Sequence, residues 1–139
     1  MEIEARDIDD LQQVSNAIHD AWFEKADIRY HPERQVVEIP IKREKWEGRK
    51  TIKHVLFVKK LSVPIIRSTL SVAHVQSYEI QDTARIGLYD IRGIHYGDDS
   101  VVISSNFPCI VTLKVSQLEV SLADTDEVVK EIAIWSLFR

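Results

Sequence analysis

Between Arg85 and Val115 the chain is a series of short apolar runs cut by turn residues, and no other feature limits the fold as much. Gly97-Asp98-Asp99-Ser100 separates Ile94-His95-Tyr96 from Val101-Val102-Ile103, and from Cys109 onward the alternation is strict. Cys109, Val111, Leu113 and Val115 fall on one face, with Thr112, Lys114 and Ser116 on the other. A period of two with one apolar side is what antiparallel strands show when one face lies in a core and the other in water. Val and Ile number 32 against 17 for Leu plus Ala, and β-branched side chains suit a pleated, half-buried surface. At 139 residues the chain is expected to form a single domain over 1–139.

One helix precedes the strands. From Asp7 to about Phe23, Ile8, Leu11, Val14, Ile18, Ala21 and Trp22 recur at spacings of three and four, which gathers them into a stripe. Asp7 is placed to cap the first turn, and Asp9 and Asp10 suit the positive end of the helix dipole. The fold class expected is therefore α+β: an N-terminal amphipathic helix packed on a curled antiparallel sheet of about seven or eight strands, a partial barrel or sandwich.

Further along, 27–41 reads as a hairpin turning at His31-Pro32-Glu33-Arg34, with Val37, Ile39 and Ile41 inward and Pro40 marking a sheet edge. Ile52–Val58 reads as a strand with Val55, Leu56, Phe57 and Val58 buried, after a turn at Glu47–Lys50. Pro64 then reads as an interruption, and Thr69–Ile80 as one alternating strand. The apolar phase flips at Ser116-Gln117, the mark of a β-bulge. Ala123–Glu127 is expected to be a hairpin turn, with 128–137 the last strand.

Residues 42–60 form the one compositional shift: eight Lys or Arg against Glu44 and Glu47, a net of +6 in a chain of net −4. Clustered cations beside an aromatic can meet phosphates and stack on a base, so Lys45, Trp46, Arg49 and Lys50 are the candidate anion-binding residues. A solvated hairpin rim is the plainer account of the same charges, and nucleic acid is not the partner expected. A second candidate set, His74, Tyr78, Tyr89 and His95, could line a small-ligand or enzymatic site in the mouth of the curled sheet. Ordinary strand residues with hydrogen-bond partners explain them equally.

No Gly-rich phosphate loop, nucleophile elbow or Cys-x-x-Cys occurs, and no two of the five histidines stand at a metal-ligand spacing. No cofactor, metal or catalytic residue is called for, and Cys109 falls in the buried phase, where cysteine acts as a small apolar group. Its solitude excludes an intramolecular disulfide and fits a reducing compartment. No signal peptide and no run of about 18 apolar residues is present, so the expectation is a cytoplasmic protein without a membrane partner. The function expected is a non-enzymatic binding or protein-interaction module, with another protein or a second copy meeting the sheet edges.

Overall fold

A computed structural model of the chain describes residues 2–106 and 108–137. The described elements are β1 (Glu2–Ala5), α1 (Ile8–Ile18), β2 (Trp22–Glu24), β3 (Arg29–His31), β4 (Val36–Glu44), β5 (Lys50–Val55), β6 (Val58–Val72), β7 (Val75–Asp82), β8 (Leu88–Gly97), β9 (Ser100–Ser105), β10 (Cys109–Val115) and β11 (Val120–Leu137). They form one antiparallel sheet in the order β1-β11-β6-β4-β2-β8-β9-β10-β7, with β3 added to β4 and β5 to β6. The helix-on-antiparallel-sheet class holds, but eleven strands replace the seven or eight expected. The surplus comes from pieces too short to show alternation, β2 and β3 having three residues each.

The sheet curls because one helix needs two distant strands. α1 packs on both β1 and β8, which have four strands between them in the sheet order, so the sheet must bend to bring both to it. It does not close, and β1 and β7 end it. Leu11, Val14 and Ile18 of α1 fill the bend together with Ile39, Leu70, Ile91, Ile103 and Leu113 from the strands. Asp7 caps α1 as expected, accepting from the Asp10 N–H at 2.7 Å.

Several expectations are corrected. α1 stops at Ile18, and Asp20 takes a left-handed φ of 67°. Trp22-Phe23-Glu24 instead form β2, sandwiched between β4 and β8; pairing on both edges outweighs the weak helix preference of aromatic residues. Pro64 does not interrupt its strand but lies inside β6, between the stretch paired to β4 and the stretch paired to β5. Pro40 likewise lies in a gap along β4, where β3 ends at Glu38 and β2 begins at Lys42, rather than at an outer edge. Both prolines sit where the neighbouring ladder is missing, so neither has to donate to it.

Leu56 and Phe57 are not buried. They form the turn between β5 and β6 and are 89% and 75% exposed. Thr69–Ile80 is two strands, divided at His74 with φ of 58°. At Ser116–Gln117 the phase flips because the chain leaves β10 and enters a different strand, β11, not because of a bulge in one strand. The bulge falls instead at Asp124–Val128, where a turn was expected, inside the continuous β11.

Candidate functional site

Part of the sheet leaves the core. After Glu44 the chain steps aside through a 3-10 turn at Trp46–Gly48, and β5 returns along the first half of β6. The last ten residues of β11, from Val128, run along the other side of that half. The result is a three-stranded arm, β5-β6-β11. β5 pairs with β6 alone, and β1 meets β11 only at Val120–Ala123, so both arm edges are open among the described residues.

Every residue of β5 is exposed. Ile52, Val55, Leu56, Phe57, Val128 and Trp135 are exposed apolar side chains on this one projection. Leu56 holds a φ of 51°, a left-handed conformation that Gly or Asn adopts at less cost. Lys50, Lys53, Lys59 and Lys60 surround these side chains, and no acidic residue occurs from 50 to 60. The Lys60 ammonium lies 5.6 Å from the Trp135 ring centroid, a cation–π distance. Lys50 and Lys53 have no carboxylate partner among the described residues.

A buried charge network holds the base of the arm. Arg43, 3% exposed, donates through Nε to Asp124 Oδ1 at 3.1 Å and through Nη2 to Asp124 Oδ2 at 2.8 Å. The same Nη2 reaches Glu47 Oε1 at 2.6 Å, and the Ser68 hydroxyl donates to Asp124 Oδ1 at 2.6 Å. Burial pushes the Asp124 carboxyl up, but the hydrogen bonds from Arg43 and Ser68 and the guanidinium charge outweigh it and bring it down to about 2. Burial lowers the Arg43 guanidinium, and its two carboxylates raise it further than that. Asp124 belongs to the bulge of β11 and Glu47 to the 3-10 turn, so one guanidinium ties together the two places where the arm departs.

The four candidate anion ligands lie at this base without converging on a vacant anion site. The Trp46 indole donates to Glu44 Oε2 at 3.0 Å, and the Arg49 guanidinium folds back onto the Trp46 carbonyl at 2.9 Å. Lys45 is half-buried and Lys50 opens β5. The other four are dispersed. His74 pairs with Glu119 at 3.0 Å in the β6–β7 connection, and Tyr78 packs edge-on against Tyr30, ring centroids 5.4 Å apart. Tyr89 points into the core, while His95 on the same strand is exposed.

Tyr89 has a partner that the sequence did not suggest. Its hydroxyl donates to the Asp82 carboxylate, which also receives Lys25 at 3.3 Å and the Arg85 N–H at 2.9 Å. The Tyr89 hydrogen bond holds Asp82 below the usual carboxylate range, whereas burial and the Asp82 charge push the Tyr89 phenol up. Beside it, Cys109 is paired across the ladder with Asp82 and fully buried, and burial pushes its thiol up. With the Ile86 N–H donating to the Tyr89 hydroxyl at 3.0 Å and the Arg85 N–H to Asp82, this cluster clamps the 83–87 loop. Among the described residues no three His, Cys, Asp or Glu side chains gather where they could hold a metal, and no helix is long and apolar enough to cross a membrane.

One signal could have exposed the arm in the sequence. Val55-Leu56-Phe57-Val58 is flanked by Lys53-His54 and Lys59-Lys60, a symmetric arrangement about Leu56-Phe57 that suits a hairpin whose turn lacks Gly, Asn and Pro.

A family model described as "Protein of unknown function (DUF2948)" matches residues 1–133. No curated protein matches the chain, and no solved structure does.

Proposed function

The chain belongs to the DUF2948 family, and from that premise we propose that it is a non-enzymatic protein-interaction module whose docking surface is the β5-β6-β11 arm. The observation that carries this reading is the hairpin tip. Leu56 and Phe57 stand in solvent at 89% and 75% exposure, and Leu56 does so in a backbone conformation unfavourable to it. A turn built only for stability would use Gly or Asn here. Apolar tips of this kind anchor in a partner's pocket, while neighbouring groups supply register.

The occupant we assign is an extended acidic segment of another protein. The outer edge of β5 is unpaired among the described residues, and Lys50 and Lys53 along it have no carboxylate partner there. An added strand uses the backbone groups for affinity and alternate side chains for specificity. A second copy of the arm would set lysines against lysines, which is repulsive when pairs stand directly opposite. Single-stranded nucleic acid would need stacking platforms free of other duties, and the Trp46 indole and the Trp135 ring both have partners.

The test uses a labelled peptide alternating Glu and Val, a scrambled lysine peptide and a mixed-sequence oligonucleotide, each titrated by anisotropy. The acidic peptide is expected to bind with Kd on the order of 10–100 μM, to protect β5 amides from exchange, and to lose about tenfold in Phe57→Ser or Lys53→Glu. Tighter binding of the oligonucleotide, or peptide binding that leaves β5 amides unprotected, overturns the reading.

A further inference from the structure

The missing ladder beside Pro40 has a second consequence, independent of the arm. Because β3 leaves β4 at Glu38 and β2 joins it only at Lys42, the outer face of the sheet is indented there. The indentation is a groove of about 240 Å³ crossing β2, β4 and β6. Trp22, Pro40 and Leu88 line it with apolar surface, and Lys42, Glu24 and Asp27 line it with charged groups of both signs.

The ionic groups are of both signs and are not spent on each other. Arg67, also at the rim, is paired with Glu127 at 3.0 Å. Lys42, Glu24 and Asp27 have no ion-pair partner among the described residues. Lys42 lies directly across the ladder from Trp22, and Glu24 follows two residues along the same face of β2, opposite Leu88. Asp27 comes from the 3-10 turn at Lys25–Asp27 that follows β2. An apolar floor beside a free ammonium and two free carboxylates is complementary to a small molecule that carries both opposite charges at one end of an apolar body.

We propose that this groove binds a small zwitterion with an apolar body, of the class of a free apolar α-amino acid. The ligand carboxylate meets Lys42, the ammonium meets Glu24 and Asp27, and the body lies on Trp22 and Leu88. The volume supports the size: drug-sized ligands occupy about 300–1,000 Å³, so a groove somewhat smaller suits a single amino acid. Two exposed charge contacts and a partly open floor give a weak site, with Kd on the order of 1 mM.

Four probes separate the components: L-phenylalanine, phenylacetate, phenethylamine and glycine, each followed by backbone chemical shifts in the full chain. L-Phenylalanine is expected to bind tightest, with shifts centred on Trp22, Thr69 and Leu88, and the loss of either charge or of the ring should weaken binding about fivefold or more. Lys42→Met should make L-phenylalanine and phenethylamine equivalent, whereas Glu24→Gln with Asp27→Asn should make it equivalent to phenylacetate. Both variants change exposed or half-buried side chains, and unchanged spectra elsewhere confirm their folding. Equal binding of all four probes, shifts outside the groove, or no saturation by about 20 mM overturns the assignment. The arm variant Phe57→Ser should bind L-phenylalanine unchanged, so failure of one proposal leaves the other standing.

Discussion

β6 is one strand in two worlds. In its second half, paired between β4 and β11, Leu70 and Val72 are fully buried in the core cluster that also holds the helix residues. Its first half, beginning at Val58, runs between β5 and the end of β11; Leu61 and Val63 are buried there, while the flanking β5 and the tip at Leu56-Phe57 meet water. Both halves are paired on each side by an antiparallel strand. What differs is the covering: the core half faces α1 and the opposing strands, whereas β5 is exposed at every residue. A ladder satisfies backbone groups wherever it forms, but burial needs a second layer. Apolar side chains in the core half therefore stabilise the fold, and those at the arm tip are free for another molecule.

The largest effect expected from breaking this contrast is at the junction. Arg43→Ala removes the bidentate guanidinium from the buried Asp124 and should cost about 3–5 kcal/mol in a urea melt. Native-state hydrogen exchange would then show whether arm and core melt together; faster exchange confined to β5 and the end of β11 would mean that the guanidinium holds only the arm.

Next comes a direct test of the two environments with one residue type. Leu70→Ala should destabilise by about 2–5 kcal/mol through the cavity it leaves. Leu56→Ala should stay within about 0.5 kcal/mol, and Leu56→Gly should be neutral or stabilising because it relieves the left-handed conformation. Equal losses at the two leucines would erase the distinction between core and arm.

A smaller effect comes from acid. Asp124 titrates near 2 in the fold against an ordinary 3.8, so its depressed pKa gives stability that is fully present above about pH 5. That stability, about 2 kcal/mol, is lost as pH falls from about 4 to about 2. Glu47 and Asp82 are lowered too and add with the same sign. The core should therefore weaken over this window while the lysines of the arm keep their charge. Asp124→Asn should flatten the acid limb of the stability curve measured by urea melts at stepped pH, and an unchanged limb would assign it to other carboxylates.

Smallest of all is the effect of arm charges on stability. Lys53→Glu and Lys50→Glu should each shift the melt by no more than about 0.5 kcal/mol, although Lys53→Glu is expected to weaken acidic-peptide binding tenfold. A large stability change would make the lysines structural and count against the docking surface.

What the sequence determined by itself were the properties written in neighbouring residues. The alternation from Cys109 to Val115, the left-handed Asp98-Asp99 turn, the cap at Asp7, and the inward Val37, Ile39 and Ile41 all depend on periods of two or four. Tertiary structure alone decided which strands became neighbours, because pairing partners such as Val72 and Val120 lie far apart in the chain. It turned the expected helix tail at Trp22 into a strand by offering ladders on both sides, and it placed Pro40 and Pro64 opposite gaps. Arg43, Ser68 and Asp124 carry no local sign of one another, since 81 positions separate the guanidinium from its carboxylate. The arm and the groove share that origin. Whether Leu56 is buried, or Lys42 free, depends on what stands above it, and periodicity records the face of a strand without recording its cover.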